Sequence, residues 1–301
     1  MEMDDRQLAA LAAVVEEGTF EAAAQRLRVT PSAISQRIKA LERRVGQVLV
    51  LRTRPCRATT AGQVLVRLAG QTALLHTEAL AEVTGRGDTL RLAVAVNADS
   101  LSTWFPLALE GLPEGVVVDL QREDQDHSAA LLRDGSVMAA VTADARPVQG
   151  CRVESLGAMR YLAVASPGYH ARWFGSGVRS AIGAAPVLTF NRKDALQQRF
   201  IQRVTGRRFQ PPVHYVPSSW AYVDLVRQGL GWGMVPEVAA REAIEDGRLV
   251  HVAQGHLDVP LHWQHWKLES PALSDLTDRV TRTARTVLQP VERATGAHGV
   301  F

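Results

Sequence analysis

Between Thr30 and Gly46 the chain reads TPSAISQRIKALERRVG, and this stretch restricts the fold more than any other. Thr30 is placed to cap a helix. Pro31 falls at the first helical position, where its missing N–H breaks no intrahelical bond. At helical periodicity Ile34, Ile38, Leu41 and Val45 share one side. Ser32, Gln36, Lys39 and Arg43 share the other, with Ala33 and Ser35 on the flanks. Such a helix docks its aliphatic side on other helices and leaves a polar, cationic side free. That free side is short at its N-terminal end, so it can approach a surface closely.

The residues upstream supply the docking partners. Leu8, Leu11, Ala12 and Val15 repeat on one helical face, with Asp4 or Asp5 to cap the start and Gly18 to end it. Thr19 caps a second helix through FEAAAQRL, with Glu21 in its first turn, where the helix dipole favours an anion. The alanines permit close helix approach, and the turn RVT follows. Helix, short turn and polar-faced helix make a helix-turn-helix. Its outer face suits a DNA major groove: Gln36 can pair bidentately with an adenine edge, and Lys39 and Arg43 suit guanine edges or phosphate. Thr30, Pro31, Ser32, Ala33, Ser35 and Arg37 complete the expected DNA-facing set.

After Gly46, QVLVLRTRPCRATTAG reads as strand, turn and strand. Arg52, Arg54 and Arg57 would form a basic wing whose phosphate contacts fix register without reading sequence. From Gln25 to Thr60 nine Lys/Arg face one acid, Glu42, so this segment carries +8 in a chain of net +3. A basic block on a slightly acidic body fits nucleic-acid binding. The same charge also suits a solvated helix face or an ordinary basic hairpin.

A long helix follows through TAGQVLVRLAGQTALLHTEALAEV. Ala61, Leu65, Leu68, Thr72, Leu75, Ala79 and Glu82 step by four and three along it. This is a narrow seam suited to a two-stranded coiled coil, or to packing on the helix's own chain. The first choice gives a homodimer that sets two reading helices against an inverted-repeat operator in double-stranded DNA.

TGRGDT, at 84 to 89, reads as a hinge. TLRLAVAV, GVVVDLQRE, VMAAVTA, MRYLAVAS, APVLTF and WGMVP are short apolar strands, separated by helical stretches such as HSAALLRDG and SWAYVDLVRQG. A helix is expected near Asp99 or Ser100. This alternation predicts a parallel α/β sheet. Context shifts near residues 160 and 265 suggest two lobes and a crossing chain.

Several chemistries find no support. HLDVPLHWQHW holds His256, His262 and His265 but no HExxH or CxxC, and its alternation suits a strand. GLGWG precedes a strand, where a phosphate loop should follow one. The serines lie in no GxSxG, and neither Cys56 nor Cys151 sits beside a histidine, so no enzyme and no cofactor is expected. No apolar run approaches the ~18 residues of a membrane span, and the N-terminus lacks a basic signal region, so the expectation is cytoplasmic with no membrane partner.

The residues FEAAAQRLRVTPSAISQRIKALERRVGQVLVLRTRPCRATTAG resemble the winged helix-turn-helix of LysR-type transcriptional regulators. RPCRATTAG and NADSLSTW, the latter at 97 to 104, resemble the ArgP/LysG branch. Its members sense basic amino acids and activate an exporter gene, and the branch has also been described as a chromosome-initiation inhibitor. The resemblance runs through the chain and is strongest over residues 1–65. It implies an N-terminal winged helix-turn-helix (1–60), a dimerisation linker helix (61–85) and a C-terminal α/β, two-lobed periplasmic-binding-protein-like effector domain (89–301). Lobe I would span about 89–160 and 267–301, and lobe II about 161–266. It further implies a homotetramer built from dimers, contact with RNA polymerase, and L-lysine or L-arginine as effector.

In such sheets ligands bind beyond the C-terminal strand ends, near helix N-termini. A basic amino acid presents a carboxylate, an ammonium and a distal cation. Ser100, Ser218 and Ser219 suit the carboxylate, as does Arg192. Asp99 and Asp144 suit the cations through charge-assisted bonds, and Thr142 can add a hydroxyl. For each residue a helix cap or a solvated loop charge is the competing role. Two other functions compete: a sequence-tolerant DNA-binding protein acting in replication or chromosome architecture, and an α/β enzyme or solute-binding protein with an incidentally basic N-terminus.

Overall fold

The computed structural model describes residues 4–85, 89–122 and 128–291. Part of the expected hinge and the end of the expected first lobe therefore lie outside the described residues.

The first helix, α1 (Asp5–Glu17), is capped by Asp4, which accepts from the Arg6 N–H, and it stops at Gly18 with φ +73°. Thr19 caps α2 (Phe20–Arg26) through the Ala22 N–H. Thr30 caps α3 (Pro31–Val45) through the Ala33 N–H, with Pro31 at the start and left-handed Gly46 at the end. Apart from the end of α2, each boundary is thus set by a side chain or glycine expected to set it. Strands β1 (Val50–Leu51) and β2 (Arg57–Ala58) pair antiparallel as the wing. The Leu49 N–H donates to Glu42 Oε1 at 2.9 Å and ties the wing to α3.

Leu8, Leu11 and Val14 of α1, Ala23 and Ala24 of α2, and Ile34, Ile38 and Leu41 of α3 form one core with Leu49 and Val66. Burying each large aliphatic contributes roughly 1.5–3 kcal/mol.

The helix α4 (Thr60–Thr84) starts at a Thr59 cap. Gly62 lies so near the wing that an added Cβ would sit 2.1 Å from the Leu49 carbonyl oxygen. Its buried residues are Gly62, Val66, Ala69 and Leu74. The expected seam lies to the other side. Its beginning, Ala61, Leu65 and Leu68, also packs partly on the chain's own core. Its later members Leu75, Ala79 and Glu82 are exposed. Val64, Leu75 and Val83 stand 54%, 39% and 85% exposed along that side.

The remaining elements are β3 (Leu90–Val96), α5 (Ala98–Ser102), α6 (Phe105–Ala108), β4 (Val116–Arg122), α7 (Ser128–Asp134), β5 (Ala139–Thr142) and β6 (Cys151–Ala165). They continue with α8 (Pro167–Phe174), α9 (Val178–Ala181), β7 (Val187–Thr189), α10 (Leu196–Thr205), β8 (Val213–Tyr215) and α11 (Ser219–Arg227). The last are β9 (Gly233–Pro236), α12 (Glu237–Glu245), β10 (Val250–Trp266) and α13 (Pro271–Val287).

The chain packs into two compact units. One holds residues 1–96, 111–154 and 263–278, and the other holds 97–110, 155–262 and 279–301. The short segment 97–110 thus clusters with the second unit, where the expected lobes had it in the first.

In the first unit β4, β3, β5 and the end of β10 lie side by side, with β3 parallel to both β4 and β5. The helix α4 is fastened within this unit: Arg67 Nη1 donates to the Gln149 carbonyl at 2.7 Å. Glu78 Oε1 accepts from Ser270 Oγ at 2.7 Å and from the Ala272 N–H at 3.0 Å, at the start of α13. In the second unit β10, β6 and β9 are neighbours, and β7 pairs in parallel with β8.

The wholly parallel sheet expected from the alternation is instead mixed, because β6 runs antiparallel to β9. Alternation of apolar residues is the same for either strand direction, so it does not fix that direction. Among the described residues no helix is long and apolar enough to cross a membrane.

Candidate nucleic-acid interface and ligand cavity

On α3, Ile34, Ile38 and Leu41 are buried, while Ser32, Gln36, Lys39 and Arg43 are exposed. Gln36, Lys39, Glu42 and Arg43 line a shallow groove on that outer side. Ala33, Ser35 and Arg37 are partly exposed beside them, and Pro31 is exposed at the helix start. Thr30 serves the backbone first, and its hydroxyl also lies 2.9 Å from Ser32 Oγ. In the wing, Arg52 stacks over the Phe20 ring with Cζ 5.1 Å from the centroid, and Arg54 is exposed. Arg26 is paired with Glu16 and Glu17, so it offers little free charge. Beyond the end of α2, Arg28 takes a φ of 53° in the turn into α3.

The second unit contains a cavity of about 320 Å³. Asp99 on α5 enters it from one side, and its Oδ2 accepts from the Tyr161 hydroxyl at 2.7 Å. Its Oδ1 accepts from Ser219 Oγ at 2.8 Å, at the start of α11. Burial pushes the Asp99 carboxyl above its ordinary value; the two hydroxyls pull it down, and nearby Asp194 pushes it up.

Asp194 lines the same cavity. Its oxygens accept from the Phe190 N–H, the Leu196 N–H and Gln197 Nε2, at 3.1, 3.0 and 3.1 Å. Tyr222 closes the floor by donating to the Leu188 carbonyl at 2.8 Å while accepting from Gln197 and from the Met234 N–H. Burial raises the Tyr161 and Tyr222 hydroxyls, so both stay protonated donors at neutral pH. Trp220 stands 75% exposed beside the opening.

Two carboxylates joined to neutral donors favour a cation, because their charge is compensated by hydrogen bonds and, among the described residues, by no ion pair at either group.

The other expected ligand residues fall elsewhere. Ser218 caps α11 through the Ala221 N–H, and Ser100 on α5 is fully buried, its hydroxyl without a hydrogen-bond partner among the described residues. Arg192 stacks on the Tyr215 ring at 4.8 Å and does not line the cavity. Thr142 and Asp144 belong to the first unit. There Thr142 Oγ1 accepts from the Asp144 N–H, and the Asp144 carboxylate holds Arg146 through both oxygens. Sequence reasoning missed Asp194 and Tyr161. Asp194 sits two residues after the expected Arg192 in the loop FNRKD, and its position just before the start of α10 is the available signal.

Of the three histidines considered for metal, all on β10, His256 lies 3.5 Å from Asp258. His265 lies between the Glu154 carboxylate and the Trp266 carbonyl. Among the described residues no group of three or more His, Cys, Asp or Glu is placed to hold a metal ion.

The family of bacterial regulatory helix-turn-helix proteins of the lysR type matches residues 6–63, and the LysR substrate binding domain matches residues 85–285. The chain belongs to the LysR family. Within it the similarity lies with LysG and ArgP. The lysine export transcriptional regulatory protein LysG of Corynebacterium glutamicum is 43% identical over 291 residues, covering 96% of this chain and 100% of the relative. The crystal structure of ArgP from Mycobacterium tuberculosis superposes with a TM-score of 0.89 at 52% identity, covering 96% of this chain and all of that one. Full-length LysG from C. glutamicum with bound effector Arg gives 0.80 at 42% identity, with the same coverage.

This LysR-family member is therefore a DNA-binding transcriptional regulator. Its first matched segment spans α1 to β2 and the start of α4, and its second spans the sheet-bearing remainder.

Proposed function

We propose that this LysR-type regulator is a cytoplasmic sensor of a basic amino acid, L-lysine or L-arginine, controlling an amino-acid exporter or a related metabolic gene. The observation that carries the reading is the pair Asp99 and Asp194 lining one cavity, held by hydroxyl and amide donors. A partly buried carboxylate pair of this kind is best satisfied by an ammonium or guanidinium. The names of the relatives agree: one is a lysine export regulator, and one structure carries Arg as effector.

On DNA, α3 enters the major groove. Gln36, Lys39 and Arg43 meet base edges or phosphate, Ser32, Ala33 and Ser35 allow close approach, and Arg52 and Arg54 hold the backbone. The exposed stripe Val64, Leu75, Ala79 and Val83 of α4 supplies the self-association surface. Dimers joined there read an inverted repeat, and two dimers make a tetramer. An effector that prefers one arrangement shifts the population of assemblies, and with it the DNA geometry offered to RNA polymerase. No step is catalytic.

The test is calorimetry of the full-length protein with each of the twenty amino acids, with and without its own promoter duplex. Lysine or arginine should bind and the polar but uncharged glutamine should not. Equal binding of glutamine, or no binding of either basic amino acid, would reject the sensor reading.

A further inference from the structure

One wall of the Asp99 cavity is α11. Ser219, Val223 and Arg227 recur at every fourth residue of this helix, and all three line the cavity. Eight helical steps set the two ends of the stripe about 12 Å apart. Both ends carry two carboxylates, Asp99 and Asp194 at one and Asp224 and Glu242 at the other, but only one end also carries a base. Beside Ser219 stand Asp99 and Asp194. At the far end stands Arg227, the single base among the described residues lining the cavity. Its Nη1 reaches Asp224 Oδ1 at 3.1 Å, while its Nε is buried with no hydrogen-bond partner among the described residues. A buried guanidinium N–H without an acceptor costs about 1–3 kcal/mol. A ligand carboxylate is the group that removes this cost, since it matches the planar fork of arginine.

We infer that Arg227 anchors the α-carboxylate of the effector, while Asp99 and Asp194 hold its distal cation, so that the cavity measures a basic amino acid by its two ends. This rests on the basic-amino-acid reading above and adds the orientation and the specificity residue. Asp224 and Glu242, which line the Arg227 end, receive the α-ammonium. Length agrees. Six bonds separate the carboxyl and guanidinium carbons of arginine, about 7–8 Å when extended. Side chains projecting from both ends of a 12 Å stripe (roughly, from the helix rise) close the remainder. The reverse orientation would place the ligand carboxylate against Asp99 and Asp194 with no base of the cavity lining beside it. The start of α11 does not offset that repulsion, because its Ser219 hydroxyl is already given to Asp99.

The consequence is discrimination between an amino acid and its decarboxylated amine. Calorimetry on the full-length protein with L-arginine and with agmatine, which lacks only the carboxylate, reads it directly. The unmodified protein should prefer L-arginine by about tenfold or more, as expected for one charge-assisted pair. Arg227→Gln should bring L-arginine down to the agmatine level while leaving agmatine within about twofold. Arg227→Lys, which keeps the charge, should retain part of the preference. Asp194→Asn should weaken both ligands together.

Equal affinity of the unmodified protein for both ligands would overturn the assignment. So would an Arg227→Gln protein that keeps its preference or weakens both ligands alike, while the basic-amino-acid reading would stand. Binding of neither L-arginine nor L-lysine to the unmodified protein would overturn that reading and this one with it. Should Arg227→Gln fail to fold, shown by its melting curve, the unmodified protein and Arg227→Lys still decide the question.

Discussion

Tyr161 donates its hydroxyl hydrogen to Asp99 Oδ2 at 2.7 Å, joining a strand and a helix start that are far apart in the sequence. The phenol stays protonated because burial raises its ionisation, so the bond always runs from tyrosine to carboxylate. Asp99 is thus held in place as an acceptor, yet its burial still raises it above its ordinary 3.8.

That shift fixes the sign of a pH effect. Folded Asp99 holds its proton more tightly than unfolded Asp99, so its ionisation opposes folding. The cost is absent below the unfolded value of 3.8 and grows as pH rises through the raised folded value. Ligand-free Asp99→Asn should therefore melt higher than the parent at neutral pH, and the gap should close in acid. A charged hydrogen bond is worth about 1.5–3 kcal/mol, so the same change should weaken L-lysine or L-arginine about tenfold to a hundredfold. Melting curves across pH, with calorimetry at pH 7, check both. Unchanged ligand affinity would remove Asp99 from the site.

Gln36 is exposed on the outer side of α3 and lines its groove. Gln36→Ala should lose about 1–3 kcal/mol of discrimination between operator and mismatched duplexes, with a smaller loss on random DNA. Equal losses on both, measured by fluorescence anisotropy at one salt concentration, would count against base reading.

Arg54 stands exposed in the turn of the wing. Its replacement by alanine should weaken all duplexes alike and reduce the salt slope of log K by about one unit, as for one lost phosphate contact. A slope that does not move would take Arg54 off the backbone.

Leu75 lies on the outward stripe of α4 at 39% exposure. Leu75→Glu should shift the protein toward smaller assemblies in analytical ultracentrifugation while changing far-ultraviolet circular dichroism little. Assemblies of unaltered size would place the self-association surface elsewhere.

Gly62 has no room for a side chain, since its Cβ would meet the Leu49 carbonyl oxygen at 2.1 Å. Helix propensity alone would reward Gly62→Ala by about 1 kcal/mol. Backbone overlap reverses that sign, and the variant should lose about 1–3 kcal/mol in denaturant unfolding as the wing is pushed off the helix. A gain in stability would show that the wing moves aside freely.

The first sixty residues were legible because every signal there is local. Thr19 and Thr30 cap the helices that begin beside them, Pro31 sits where a helix start tolerates it, and Ile34, Ile38 and Leu41 mark the inner side by spacing alone. The strands of the body were legible for the same reason, since alternation within a few residues sets which side is buried. Their directions were not, because a strand carries the same alternation either way.

The cavity was half legible. Asp99 and Ser219 follow from the general position of helix starts beyond strand ends, and they do meet. Within FNRKD, however, the sequence offers Arg192 and Asp194 on equal terms. Only folding separates them: Asp194 turns inward to collect the Phe190 and Leu196 N–H groups, and Arg192 turns outward onto the Tyr215 ring. Capping and periodicity act over one or two helical turns, so the order of residues determines them. Which carboxylates share a cavity depends on where distant segments close on one another, and that is decided by the packed chain as a whole.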